Sequence, residues 1–452
     1  MCHRVQPRFG SAEWPGRPSS RLLRGAGHVV PSSCGCSSLD LEISEIIPSS
    51  EIRAETQSAG HNARIAGRPY HRSVVAKRQS QLKDNRVAGV YFDISVLGAF
   101  QRSCLRPIGI YRQPSLKRVT HCGKCGDFRP VDKDGAMELY KNVFQIQSLY
   151  GGRNLFQYLF VGQNIVLVDS GIANTPADVI FPFLDRMGLP PQSLSLVVTT
   201  HPDLDHQGGN SSIKKTSPKT LIACGEEDRA LVEDPLTLLR QRYNFAKAEH
   251  GVGFENDEPS PETGETVRID QTFRGSEEIR LDDDWSLKVL HVPGHSHGHL
   301  ALYDSTNRTA FVSDAIHGRG CPNADGTMGI PVTYYFVDAY LSTLQYLESL
   351  SIDVLFSGHW PTMRGEEIKD FICDSRRMVA FVDQVIQRSL RRCPEGLTLK
   401  ELMYAVADAV GAWPPETWSL VAFPVSGHLE RLERQAKVRK MKAVPFPRWQ
   451  LV

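Results

Sequence analysis

The stretch TTHPDLDHQGG, residues 199–209, sets two histidines and two aspartates within six positions, directly behind the apolar run LSLVV at 194–198. A short aliphatic and β-branched run of this kind reads as a buried strand. His201, Asp203, Asp205 and His206 therefore begin where that strand ends. In the extended loop H-P-D-L-D-H, His201 and Asp203 are two apart and point the same way, while Asp205 and His206 reach a neighbouring position. Gly208 and Gly209 read as the residues that let the backbone turn tightly into a following helix.

The surrounding segments repeat the arrangement. NLFQYLFVG (154–162) and QNIVLVDSG (163–171) read as a hairpin of buried strands, and ADVIFPFLDRMGL (177–189) has the three-to-four spacing of an amphipathic helix. Alternating segments of these two kinds predict a layered α/β domain. Three further strand-like runs then stop at chemically able side chains: WSLKVLHVPG at His295, NRTAFVS at Asp314 and SIDVLFSG at His359. Any one of these has an ordinary explanation, since a histidine after a strand is commonly a loop residue and an aspartate there a helix cap. Four in succession, brought to one rim by a layered fold, point to a site. Four imidazoles and three carboxylates suffice for two metal ions sharing one carboxylate. Without cations, three clustered carboxylates repel one another and resist ionisation.

This ordered set resembles the metallo-β-lactamase superfamily, whose pattern is H-x-H-x-D-H, a histidine in a P-G-H-[ST] turn, a bridging aspartate after a strand, and a final G-H. The matching pieces are His201 to His206, Pro293 to His299 (PGHSHGH), Val312 to Ala315 (VSDA) and Ser357 to Trp360 (SGHW), within roughly residues 138–362. The resemblance implies an αββα four-layer sandwich with a dinuclear site at one edge of its two sheets. It assigns His201, Asp203 and His295 to a first metal and Asp205, His206 and His359 to a second, with Asp314 bridging. Asp169 in LVDSG matches an aspartate that fixes a ligand histidine by hydrogen bond, a role that competes evenly with turn capping. A hydrolase of this kind uses a metal-bound hydroxide, which Asp205, the candidate catalytic residue, orients and whose proton it passes to the leaving group. His297 and His299 read as exposed-turn histidines, more in keeping with turn chemistry than with the site.

One departure stands out. Asp203 occupies a position where most hydrolases of the family have histidine, and a carboxylate is a harder ligand that favours iron or manganese over zinc. Zinc is the expected metal, with iron or manganese open because of Asp203. The expected activity is hydrolysis of a small ester, thioester or lactone. The alternatives are a diiron redox protein resembling the flavodiiron branch, a nuclease acting on phosphodiesters, or a mononuclear or inactive scaffold in which Asp203 weakens or abolishes one metal site.

Composition narrows the partners. The 452 residues carry 52 basic and 51 acidic side chains, a net charge of +1, so no global field draws the chain to nucleic acid. A small-molecule substrate, with nucleic acid disfavoured, no membrane partner and a homodimer in view, is the expectation. The longest apolar candidate, VAGVYFDISVLGAF at 87–100, is too short for a membrane span and carries Asp93. Six of the ten cysteines fall before residue 135 and the rest are scattered singly, as in a reduced compartment, and CGKC at 122–125 lacks the second CxxC of a zinc ribbon. Cytoplasm is expected, with a mitochondrial location as the alternative because the first 25 residues are Arg-rich with a single acid, Glu13.

Three domains follow: a low-order extension over 1–135, the catalytic domain over 136–368, and a helical domain over 369–452. In the last, FICDSRRMVAFVDQVIQRSLRR, LTLKELMYAVADAV and SGHLERLERQAKVRKMKAV resemble the winged-helix appendage that follows some metallo-β-lactamase domains, including glyoxalase II relatives. The basic run Arg434 to Lys442 reads as a solvated edge or packing element rather than a phosphate contact. TYYFVDAY (333–340), with Tyr334 and Tyr335, reads as core.

Overall fold

The structure, a computed structural model, describes residues 136–452. The expected extension, its Arg-rich start and the CGKC pair lie outside these residues. Seven strands form a first sheet in chain order: β1 (Ala136–Tyr140), β2 (Val143–Tyr150), β3 (Arg153–Val161), β4 (Ile165–Val168), β5 (Leu194–Thr199), β6 (Leu221–Gly225) and β7 (Gln271–Phe273). It is antiparallel through β4 and parallel from β4 to β7. The second sheet comprises β8 (Glu278–Arg280), β9 (Ser286–His291), β10 (Leu300–Asp304) and β11 (Thr309–Ser313). After a small ribbon of β12 (Cys321–Pro322) and β13 (Met328–Ile330), β14 (Val354–Ser357) joins it beside β11, and β15 (Met363–Arg364) closes the edge.

Residue alternation along the strands builds the layers. Tyr158, Phe160, Val166, Val168, Leu196 and Val198 of the first sheet meet Leu300, Leu302, Phe311 and Phe356 of the second in one apolar interior. The residues between them point outward: Leu159, Ile165, Leu167 and Val197 pack under Ile180, Phe183 and Leu184, around helix α1 (Phe181–Arg186). On the far side Ala301, Tyr303, Ala310, Val312 and Leu355 do the same under other helices. Two sheets face to face with a helical layer on each outer face make the αββα sandwich. Both faces of each central strand are largely buried, which is why LSLVV and its counterparts read as mainly apolar runs.

The helices after α1 divide between the site and the outer layers. Short α2 (Leu204–Gln207) and α3 (Asn210–Thr216) follow β5, and α4 (Arg229–Glu233), α5 (Pro235–Leu238) and α6 (Lys247–His250) fill the segment before β7. The second sheet is covered by α7 (Val337–Ser349), α8 (Glu366–Arg392), α9 (Leu399–Val410) and α10 (Ala422–Arg434). A hairpin of β16 (Val438–Met441) and β17 (Arg448–Leu451) ends the chain. Ile372, Val379 and Ile386 of α8 and Leu402 and Val406 of α9 share one apolar cluster with the second sheet and Tyr340 of α7. The core therefore runs unbroken from sheet to C-terminal helices. Tyr334 is fully buried in it, and its hydroxyl meets His428 Nε2 of α10 at 3.0 Å.

Two side chains of the basic run that begins at the end of α10 form ion pairs with distant parts of the chain: Arg434 reaches Asp338 and Lys440 reaches Glu249. Gly427 lets α10 seat against the chain leading into α7, because a Cβ there would stand 1.7 Å from the Tyr335 carbonyl oxygen. Glycine inside a helix costs about 1 kcal/mol against alanine, so its retention reflects this approach. Gly427→Ala is expected to lower unfolding stability by about 1–3 kcal/mol despite the gain in helix propensity, as overpacking does, read from urea denaturation.

Candidate metal centre

Strands β4 and β5 are parallel neighbours, so their carboxyl ends lie side by side. Asp169 follows β4, and Thr200 and His201 follow β5. The Asp169 carboxylate accepts from the Thr200 amide at 2.8 Å, the Thr200 hydroxyl at 2.9 Å, Ser313 Oγ at 3.1 Å and His206 Nδ1 at 2.8 Å. One buried carboxylate thus ties both sheets and a site histidine together. Asp169 has φ 60° and Ser313 φ 47°, left-handed conformations that non-glycine residues adopt at a cost. Both strained residues touch this centre.

The structure brings all seven candidate ligands to one end of the sandwich. His201 lies beyond β5. Asp203 is the N-terminal cap position of α2, whose single turn carries Asp205 and His206. Asp314 leaves β11, and His359 follows β14 after Gly358, where a Cβ would press to 2.5 Å from Asp314 Oδ1 and 2.7 Å from His206 Cε1. His295 does not end a strand: β9 stops at His291, and the P-G-H turn carries the ring inward. Ligand atoms of His201, Asp203 and His295, of Asp205, His206 and His359, and of His201, His206 and Asp314 group within 4.8 Å.

Hydrogen bonding shows what the two halves ask for. His359 Nδ1 donates to the Asn154 carbonyl at 2.7 Å, and His206 Nδ1 donates to Asp169. Each ring therefore turns an Nε2 lone pair inward, and the two nitrogens stand 3.2 Å apart. Two lone pairs at that distance require a positive charge between them. Without a metal a proton serves: burial disfavours charge on His206, but Asp169, Asp314 and Asp205 outweigh it and hold the group up at about 10. A metal meets the same demand, since two ~2.0–2.1 Å bonds at a tetrahedral angle separate their nitrogens by roughly 3.3 Å. Asp205 and Asp314 each approach His359 Nε2 to 3.4 Å, and the buried Asp314 Oδ1 has no hydrogen-bond partner. This half fits a metal.

The other half is arranged differently. His201 Nδ1 faces the Thr200 hydroxyl at 3.0 Å, and its buried Nε2 has no hydrogen-bond partner, with Asp203 Oδ2 3.7 Å away. Burial, followed by the neighbouring imidazoles and Arg242, keeps His201 neutral. His295 Nδ1 donates to the Thr333 carbonyl at 3.1 Å, which leaves its Nε2 as an acceptor. That acceptor is met by Arg242 Nη2 at 2.9 Å, and the same guanidinium grips both carboxylate oxygens of Asp203, through Nε on Oδ1 and through Nη2 on Oδ2 at 2.9 Å. Burial alone would raise the Asp203 pKa, but the Arg242 guanidinium holds it well below the ordinary carboxylate range.

Several readings of the sequence need correction. His299 is not an exposed-turn residue: it is fully buried, stacked on His201 with ring centroids 4.6 Å apart, whereas His297 is exposed. Gly208 and Gly209 have ordinary helical angles, φ −58° and −75°. They are glycine because a Cβ would meet the Glu262 carbonyl at 2.2 Å and the Ser170 carbonyl at 2.3 Å. The motifs also miss Arg242 and His317. Arg242 lies in a π-helical turn, Leu239–Tyr243, that aims it at Asp203 and places the Tyr243 hydroxyl to accept from the Leu204 amide at 3.0 Å. Its signal is present in the sequence, since it falls three and four residues after the buried Leu239 and Leu238, on the apolar face. His317, buried between Thr333 and Tyr340, has no comparable signal.

With this geometry in place, comparison with known proteins identifies the segment that carries it. Residues 152–359 match the metallo-beta-lactamase superfamily profile, and that segment is a domain of the superfamily. A hydroxyacylglutathione hydrolase of Haemophilus influenzae is 24% identical over 37% of this chain and 68% of its own length. The beta-lactamase-like protein 2 homolog of Drosophila melanogaster is 22% identical over 62% of this chain and 82% of its own. Other hydroxyacylglutathione hydrolases are matched over as little as 40% of their length. A metallo-beta-lactamase family protein of Thermus thermophilus shares the fold with TM-score 0.53 at 18% identity, over 70% of this chain and all of that one.

Proposed function

We propose that this metallo-beta-lactamase domain is a metal-dependent hydrolase of a small acyl compound, an ester, thioester or lactone, with the thioester placed first. The observation that carries the reading is the pair of inward-facing lone pairs on His206 and His359, flanked by Asp205 and Asp314. A divalent ion held there supplies a Lewis acid for the acyl oxygen and lowers the pKa of a bound water toward neutrality. The chain's own residues do the rest. Asp169 fixes the tautomer and aim of His206, and the Asn154 carbonyl does so for His359. Asp205, kept ionised against its burial by His206, His359 and Arg153, stands beside the ring pair to take a proton and return it to the leaving group.

The thioester is placed first because hydroxyacylglutathione hydrolases recur among the relatives, and because Arg153 supplies positive charge near enough to Asp205 to help hold its carboxyl down. Arg153 sits at the β2–β3 turn, over the Tyr150 ring at 5.8 Å, and no carboxylate forms an ion pair with it among the described residues. An acyl compound carrying a carboxylate is the complementary substrate. Arg153→Ala is expected to raise KM about tenfold for an anionic hydroxyacylglutathione thioester, with little change for an uncharged ester, a contrast steady-state kinetics measures directly.

The iron reading depends on Asp203 as a hard ligand, and its carboxylate is held by a guanidinium. The nuclease reading needs a basic groove, and two of the basic side chains near the C-terminus, Arg434 and Lys440, are held by carboxylates. The test is a panel: full chain, zinc-loaded, against thioester, ester, lactone and phosphodiester, beside an oxygen-consumption assay of the iron-loaded chain. Acyl turnover lost on chelation supports the proposal. Turnover of phosphodiester alone, or oxygen reduction without hydrolysis, overturns it.

A further inference from the structure

The first half of the centre has its three ligand groups together, yet two of them are already engaged. Arg242 Nη2 donates to His295 Nε2 and to Asp203 Oδ2, each at 2.9 Å, and its Nε takes Asp203 Oδ1. Those are the lone pairs a metal at this position would use. The His295 and Asp203 acceptors stand 2.8 Å apart, a distance that needs a shared cation, and the guanidinium is that cation. The other half differs in kind, because no Arg or Lys donor reaches the His206 and His359 nitrogens among the described residues.

Arg242 is not a side chain that has swung in from solvent. It is 7% exposed, it also donates to the His295 carbonyl at 3.1 Å, and its guanidinium carbon lies 5.3 Å over the ring of Phe423 from α10. The π turn at Leu239–Tyr243 fixes its backbone, with the Asn244 amide bonded to the Leu239 carbonyl at 2.7 Å. To admit a divalent ion at His201, Asp203 and His295, this buried cation has to leave both its carboxylate and its aromatic support, or stand against a second positive charge. Either is unfavourable.

We propose that Arg242 takes the place of the first metal ion, so that the chain binds a single divalent ion, held by Asp205, His206, His359 and Asp314. The aspartate at 203 then has a reason. It is the counterion of Arg242, forming the bidentate carboxylate pair that an imidazole cannot make. The C-terminal helices also enter the chemistry of the site, because Phe423 supports the guanidinium from their side. His201, whose buried Nε2 makes no hydrogen bond, is left to bind whatever enters between the guanidinium and the metal.

This inference rests on the metal-dependent reading above, and its test needs no substrate. Full chain stripped of metal is titrated with Co2+, and separately loaded with Zn2+, desalted and analysed for zinc. The d–d absorption is expected to saturate at about one equivalent, with about one zinc retained. Arg242→Met, which keeps the apolar length and removes the charge, is expected to retain about two zinc ions and to fall back to about one when His295→Ala is added. Saturation of the wild-type chain at two equivalents of like affinity overturns the inference. So does an Arg242→Met protein that is folded by circular dichroism and still holds one. Should that variant not fold, the wild-type cobalt end-point decides alone. A chain that binds two ions and hydrolyses thioesters sinks this inference and keeps the proposed function. A chain that binds one ion and hydrolyses nothing does the reverse.

Discussion

His206→Ala is expected to reduce acyl turnover by about a thousandfold and to abolish the stabilisation that added zinc confers. The kinetic figure follows from the several kcal/mol of charge stabilisation that a Lewis-acidic ion supplies, at about 1.4 kcal/mol per tenfold in rate. His206 is singled out because its ring joins both parts of the centre: Nδ1 is held by Asp169, and Nε2 stands 3.2 Å from His359 Nε2 and 3.8 Å from Asp314 Oδ1. Removing it leaves His359 as the one imidazole of the Asp205, His206 and His359 group. The second readout guards against a trivial cause. With zinc at about a hundred times its dissociation constant the folded state gains about 2.7 kcal/mol, so the wild-type melting temperature rises with zinc and that of the variant does not. A variant that keeps both its turnover and its zinc-dependent melting shift contradicts the assignment.

The second large effect is at Asp169, and its two substitutions separate architecture from chemistry. Asp169→Ala removes the acceptor for the Thr200 amide and hydroxyl, Ser313 Oγ and His206 Nδ1, all buried. Each orphaned donor costs about 1–3 kcal/mol, so the alanine variant is expected to lose at least about 3 kcal/mol of stability in urea denaturation. Asp169→Asn keeps the shape, and asparagine tolerates the φ of 60° found here. It also presents an amide NH2 where one of the four donors needs an acceptor, which loosens the aim of His206. The asparagine protein is expected to fold with near-normal stability and to bind zinc about 10–100-fold more weakly. Equal zinc affinity in wild type and Asp169→Asn removes Asp169 from its positioning role.

A good part of this was legible in the residues. LSLVV, IVLV and TAFVS are apolar on both alternating faces because each strand is sandwiched between the opposite sheet and a helical layer. Such runs identify themselves without knowledge of their neighbours. The ligand candidates were legible for a related reason: a strand end fixes a side chain in space, and H-P-D-L-D-H concentrates more ionisable chemistry than a loop needs. Gly208 and Gly209 were legible as constrained positions, but not why. Nothing local shows that the Glu262 and Ser170 carbonyls press against them, since those contacts close across 54 and 39 positions of the chain.

The sequence alone determined the layered α/β class, the rim on which chemistry collects, and seven side chains that meet there, because each of these depends on local periodicity and on residue type. Tertiary structure alone decided which cation answers which ligand. His299 lies two residues from an exposed histidine and is itself buried, a difference that the stacking partner His201 creates from nearly a hundred positions away. Asp203 reads as a hard metal ligand for as long as its environment is unknown. Arg242, 39 residues further along, changes that reading, because the meaning of a charge inside a protein is set by the opposite charge that packing brings to it.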